Sequence, residues 1–348
     1  MKRIFLLVFL LILYLVPCPA QENELPKLIP IKVGDKYRYI DEKGKFIIKP
    51  EFDIAHEFSE GLAAVYKYGK FGFIDYSGNF VVYPQYCQVD EFSEGLAAIQ
   101  ECKDKKWGYI DRQGKIVIEP KFLLAHKFSE GLAVVIPYGD NHGYIDKSGK
   151  FVIEPKFYSA TSFSEGFAVV ADEILKYGIG EKNKYFFIDK NGKKIFSTFD
   201  MAGNFSNGLA WVKVNDLYGY IDRTGKTAIS IIYRYADSFE YDLSWVGCFN
   251  SAKYGLIDTS GKRITDCIFE NAGHFSEGLC PVQIENKKWG FIDTTGKIVI
   301  KPQFDDTDSF YNGLAEVEII KGKWVYVGYI NYSGEYVMKP RKTEKVEE

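Results

Sequence analysis

Four histidines, His56, His126, His142 and His274, are the first residues to weigh for chemistry, because imidazole is the common general base and metal ligand near neutral pH. Their spacing argues against a shared site. His56 and His126 stand two residues before the phenylalanine of one recurring string, His274 stands one residue before its own, and His142 fills an aromatic position of a second string. A metal would need ligands converging from different units, so neither a metal nor another cofactor is expected. His-Glu-x-x-His, Gly-x-Ser-x-Gly and Cys-x-x-Cys do not occur. Gly225-Lys226-Thr227 lacks the upstream glycine of a phosphate loop, since Tyr220 stands there, and Gly178-Ile179-Gly180 lacks a third glycine; both read as turns. The 47 acidic residues include many carboxylates that a glycosidase pair would use. Enzymes usually break repeat symmetry where chemistry happens, however, and the two breaks here, at 172–185 and 234–250, hold no recognisable acid–base pair. No catalytic residue is assigned, and the ligand-binding residues stay open.

Cysteine chemistry is equally sparse. Beyond Cys18 near the start there are Cys87, Cys102, Cys248, Cys267 and Cys280. An odd number at irregular spacing is no disulfide framework. Small buried thiols are expected, with a Cys267–Cys280 pair left open because both flank one connection.

What must position any site is a repeat. The string Phe-Ser-Glu-Gly recurs about every 35 residues, with its glycine at Gly61, Gly95, Gly131, Gly166 and Gly278 and degraded copies at Gly208 and Gly313. Another copy is Phe239-Glu240-Tyr241-Asp242-Leu243, where Asp242 replaces the glycine and the turn is expected to be lost; an insertion occupies Ile174 to Lys184. A second string, Ile-Asp-x-x-Gly, interleaves with the first, its acid at Asp41, Asp75, Asp111, Asp146, Asp189, Asp222, Asp258 and Asp293, with Asn331 as a ninth. Lys106-Trp107-Gly108 and Lys288-Trp289-Gly290 lead into it. These strings resemble the WG (KWG) repeat family of bacterial exported proteins over residues 28 to 341. The resemblance implies a β-rich repeat fold and supplies little biochemistry. Phe71, His142, Tyr218 and Tyr254 replace the tryptophan elsewhere, so no shared role requires an indole.

Within a unit, the runs Trp107 to Ile110 and Ile116 to Ile118 flank Asp111-Arg112-Gln113-Gly114-Lys115, which predicts a hairpin closed by a type I turn and a bulge. Asp and Gly at the turn are thereby explained without a calcium ligand. Pro120 ends the second strand, as do Pro50, Pro84, Pro155, Pro302 and Pro340 in their units. Phe122, Ala125 and Phe128 anchor the crossing as core residues, Ser-Glu-Gly turns tightly, and Leu132 to Val135 form a third strand. The fold class expected is therefore all-β, with about nine three-stranded antiparallel units. Ile116-Val117-Ile118 and Leu132-Ala133-Val134-Val135 are continuously apolar, predicting sheets covered on both faces. A propeller-like ring satisfies this, with an open β-superhelix as the alternative.

The ends set the compartment. Lys2 and Arg3 precede an apolar run of 13 residues, Ile4 to Val16, too short to span about 30 Å of hydrocarbon and typical of a secretory signal. Residues 1–20 are read as signal peptide, 21–27 as linker and 342–348 as a charged tail. Cleavage after Ala20 is favoured; Leu15-Val16-Pro17-Cys18 resembles a lipobox, so anchoring through Cys18 is the alternative. The exported chain, periplasmic, outer-surface or secreted, keeps no transmembrane span. Its net charge is about −5, with basic residues spread evenly, which argues against nucleic acid. The function expected is a non-catalytic binding or scaffold module for proteins or glycans of the cell envelope. A carbohydrate-processing enzyme and a purely structural component are the alternatives.

Overall fold

The structure, a computed structural model, describes residues 26–172, 184–249, 251–284 and 287–345. The leader with Cys18, most of the linker, nearly all of the insertion and the last three tail residues fall outside them. Among the described residues no helix is long and apolar enough to cross a membrane.

Each hairpin forms as its residues dictate. Asp111 Oδ1 accepts hydrogen bonds from the amides of Gln113 (3.0 Å) and Lys115 (2.9 Å), while Gly114 N–H donates to Asp111 O at 2.9 Å. Gly114 takes φ +81°, the left-handed conformation the bulge requires. The same Oδ1 geometry recurs at Asp293 and, through its amide oxygen, at Asn331. The Ser-Glu-Gly turn is a two-residue loop: Ser129 and Leu132 exchange both backbone hydrogen bonds, and Glu130 (φ +54°) and Gly131 (φ +85°) both lie in the left-handed region. That is the turn whose twist matches paired strands.

Blade 3 shows the whole unit: Gln88–Val89, Leu96–Gln100, Trp107–Asp111 and Ile116–Phe122, in that spatial order and antiparallel. The meander expected from the sequence thus gains a fourth, two-residue strand, because the crossing segment pairs along the strand that follows it. Eight of the nine sheets have this crossing strand, and six have four strands in all. The blades occupy residues 29–52, 54–86, 88–122, 124–157, 159–188, 201–233, 235–258, 271–304 and 306–345.

They form a closed nine-bladed β-propeller, which removes the open superhelix. Ile29, Ile31 and Ile40 of blade 1 share a core with Leu314 and Tyr329 of blade 9. Blade 1 lacks the Ser-Glu-Gly turn, and the last turn bridges the gap: Asn312 Nδ2 donates to Leu28 O (3.2 Å), and Tyr311 hydroxyl reaches Phe58 O in blade 2 (3.5 Å).

The core lies between blades. Leu96, Tyr109, Ile118 and Phe122 of blade 3 pack on Ala125, Phe128, Ala133 and Val135 of blade 4. Phe122, Ala125 and Phe128 are therefore buried and form no surface for stacking a ligand. One expectation is corrected: Ile116 and Val117 are exposed, because Ile116–Phe122 is the edge strand and buries one face only. Pro120, Pro155 and Pro302 in such strands remove amide donors from an edge that would otherwise recruit another strand.

Neighbouring turns also lock together through polar contacts. Ser93 Oγ donates to Phe128 O (2.8 Å), and Ser129 Oγ repeats this one blade on at Phe163 O (2.7 Å). Glu94 accepts from Gly131 N–H at 3.0 Å and from Lys147 Nζ at 3.1 Å. The recurrence of Ser-Glu-Gly in most units thus serves blade-to-blade adhesion. Partial burial pushes the Glu94 carboxyl up, but Lys147 and the Gly131 amide outweigh it and hold it below the usual range. A carboxyl depressed on folding stabilises above its unfolded pKa, about 4.3, and loses that contribution as pH falls through the lower folded value. Glu94→Gln is therefore expected to lower the melting temperature at pH 7, with the gap to the wild type narrowing as pH falls below about 4.3. A gap still intact at pH 3 would contradict this role.

The cysteines correct a second expectation. Cys87–Cys102 and Cys248–Cys267 are disulfides, with Cα–Cα distances of 4.9 and 6.3 Å, and Cys280 is the buried free thiol, so the open Cys267–Cys280 pairing does not occur. Irregular spacing concealed both bridges because each joins segments that only strand pairing brings together.

Candidate binding pocket

The segment 234–250 departs from the repeat, and it shapes a pocket between blades 7 and 8. Despite Asp242 in the glycine's place, the turn forms: Glu240 and Leu243 exchange both backbone hydrogen bonds, with Tyr241 at φ +53° and Asp242 at φ +61°. Asn207 Nδ2 donates to Asp242 Oδ1 at 2.7 Å, and Tyr241 hydroxyl accepts from Glu277 N–H at 3.0 Å, so neighbouring blades hold the strained pair. The expected loss of the turn is thus corrected; only its glycine is lost.

Two residues on, Trp245 stands where blades 2 to 5 carry Ala64, Ala98, Val134 and Val169 and where blade 6 carries Trp211. Its indole is 6% exposed, edge-on to Phe269 at the outer edge of blade 7 at 5.4 Å, and roughly parallel to Phe275 of blade 8 at 6.5 Å. The indole nitrogen lies beside the Cys280 thiol, which itself donates to Gly273 O at 3.2 Å.

Trp245, Tyr235, Asp237, Tyr254, Asn271 and Ala272 line a cavity of about 130 Å³. Tyr235 and Tyr254 stand perpendicular, ring centres 5.4 Å apart at 87°. Tyr235 hydroxyl donates to Asp237 Oδ2 (3.1 Å), and Asp237 Oδ1 accepts from Ser238 N–H (2.8 Å). Burial, then the Asp237 charge, pushes the Tyr235 hydroxyl well above the usual tyrosine range, so it stays protonated. The backbone beneath is pinned: Asp237 O accepts from Tyr220 hydroxyl (2.9 Å) and Ser244 Oγ (2.8 Å). Asn271 Nδ2 donates to Gln283 Oε1 (2.6 Å), which orients the amide. The Cys248–Cys267 disulfide brackets Tyr254, whose backbone exchanges hydrogen bonds with Phe269.

The lining contains one carboxylate and no histidine, lysine or arginine. Glycoside hydrolysis takes two carboxyl groups, and a general base takes a group poised for proton transfer. What these residues can do is hold a small ligand between aromatic walls and mixed hydrogen-bonding groups. The histidines lie elsewhere: His56 in blade 2, His126 and His142 in blade 4, and His274 in blade 8, where its Nδ1 contacts Glu240 Oε1 at 3.0 Å. The anomaly at 234–250 was legible as a departure from the repeat. Tyr235, Asp237, Tyr254 and Asn271 were not, because each occupies a regular repeat position and is set apart only by its neighbours.

The family model described as a WG containing repeat matches residues 37–71, 71–106, 107–136, 143–171, 185–218, 218–247, 254–287 and 289–324. Among curated proteins none matches the sequence. Similar solved structures include BamB from Moraxella catarrhalis, at 11% identity over 92% of this chain and 95% of that one, with a TM-score of 0.41. The dihydro-heme d1 dehydrogenase NirN in complex with DHE aligns at 12% identity over 92% and 74%, TM-score 0.48, and apo AztD from Citrobacter koseri at 14% over 92% and 94%, TM-score 0.36. At such identities the likeness concerns the fold alone.

Proposed function

The chain belongs to the family of WG-containing repeat proteins, and on that premise we propose that it is a non-catalytic binding module of the cell envelope, taking its ligand at the pocket between blades 7 and 8. The observation that carries this reading is the contrast between regular and irregular parts of one ring. Aspartate, serine, glutamate and glycine of the regular turns are consumed in holding the turns and blades together. At 234–250 the repeat is broken, and there Tyr235, Asp237 and Trp245 of that segment meet Tyr254 and Asn271 from beyond it around a cavity. Export through residues 1–20 belongs to the same proposal and places the ligand outside the cytoplasm; N-terminal sequencing of exported material is expected to begin at Gln21, and a lipid-modified Cys18 would replace that with an anchored form.

The test compares wild type with Tyr235→Ala and Asn271→Ala, both substitutions at exposed side chains. Immobilised protein is incubated with separated glycan and protein fractions of the cell envelope. Captured material is expected to fall at least tenfold in both variants while their melting curves match the wild type. Undiminished capture by folded variants would remove the pocket from the reading.

A further inference from the structure

We infer that the occupant of this pocket is a single neutral sugar ring, the terminal residue of a glycan; this rests on the pocket being the binding site. Size comes first. A protein cavity of about 150 Å³ encloses benzene, so a cavity of about 130 Å³ open at its mouth seats part of one six-membered ring and leaves the rest of that ring and any chain outside. Shape comes next. The perpendicular pair Tyr235 and Tyr254 presents one ring face and one ring edge, an apolar corner against which the C–H face of a pyranose packs while its rim stays polar.

The polar groups decide between ligand classes. A sugar hydroxyl both donates and accepts, and the lining offers both: Asp237 and the lone pairs of the Tyr235 hydroxyl accept, while the Asn271 amide, which gives one N–H to Gln283, has its second N–H to donate and its oxygen to accept. A quaternary ammonium makes no hydrogen bonds and calls for converging aromatic faces, whereas this lining is largely hydrogen-bonding. A primary ammonium would use only acceptors and would leave the second Asn271 N–H without a partner. An anionic sugar would meet Asp237 with no lysine or arginine in the lining to offset the repulsion. A neutral pyranose is the class that satisfies all these groups together.

The probes are the methyl glycosides of glucose, galactose, mannose and N-acetylglucosamine, with galacturonic acid, choline and n-butylamine as the competing chemistries. Binding to the full mature chain is read by calorimetry and by saturation-transfer NMR. At least one neutral glycoside is expected to bind saturably at millimolar concentration, with affinity reduced at least tenfold by Asp237→Ala and by Asn271→Ala and unchanged by the distant Tyr68→Ala. Should an Asp237 variant unfold, Asn271→Ala alone carries the comparison. Tighter binding of choline, butylamine or galacturonic acid than of every neutral glycoside overturns the sugar while leaving the pocket in use. No binding by any neutral glycoside, with capture of envelope material still lost in Tyr235→Ala, does the same. No binding together with undiminished capture overturns both.

Discussion

Replacing Gly108 by alanine is expected to lower the free energy of unfolding by about 3 kcal/mol, at the top of the usual range for forced overpacking. The reason is not its φ. A Cβ at Gly108 would lie 2.5 Å from Ile118 O and 2.7 Å from Pro120 N, both backbone atoms of the adjacent edge strand. That strand bulges toward the glycine: the pairing register shifts between Trp107–Phe122 and Tyr109–Ile118. Neither atom can swing aside as the end of a side chain would, so the edge strand must detach or the blade distort. Gly72 and Gly290 face the same two backbone atoms in their own blades. Gly131→Ala serves as the comparison, because no atom lies within 4 Å of its Cβ position and only its φ of +85° opposes alanine. That costs about 1 kcal/mol. Urea denaturation of the two variants, compared by midpoint, is expected to rank Gly108→Ala well below Gly131→Ala. Equal midpoints would refute close backbone approach as the reason for glycine after the tryptophan.

Removing the Cys248–Cys267 disulfide is expected to cost about 3 kcal/mol, since closing a loop of roughly 15 to 20 residues in the unfolded chain has about that entropic worth. The sequence separation is 19, and for Cys87–Cys102 it is 15, so the two bridges should matter about equally. Their local setting differs, however. Blade 7 has only three strands, and in place of the outer edge strand it has isolated bridges at Tyr254–Phe269 and Ile257–Arg263. The Cys248–Cys267 bond therefore ties down a segment that sheet pairing holds only weakly, and with it the Tyr254 wall of the pocket. Cys248→Ser with Cys267→Ser, and Cys87→Ser with Cys102→Ser, are each expected to shift the denaturation midpoint to a similar extent. Hydrogen exchange should quicken around residues 254–269 in the first pair alone. Uniform exchange in both pairs would contradict the special dependence of blade 7 on its bond.

The repeat, the hairpin turns and the crossing anchors were legible because their causes are local. Asp111 and Gly114 satisfy their own turn within five residues, and Phe122, Ala125 and Phe128 recur at a fixed offset wherever a core is needed. Other features depend on residues distant in the chain and left no local mark. The fourth strand of a blade exists because Leu124–Ala125 finds the edge of Ala133–Ile136, and the exposure of Val117 follows from its strand being last in the sheet. The disulfide partners were hidden for the same reason, as Cys248 meets Cys267 only after two segments pair. So was the pocket, where Tyr235, Asp237 and Tyr254 of one blade meet Asn271 of the next. A period of about 35 residues and its turn chemistry lie within the reach of the local chain, so the sequence alone determined an all-β array of like units. Closing that array at blade 9 on blade 1 and bringing blades 7 and 8 around one cavity are matters of packing between distant segments, which only the tertiary structure decided.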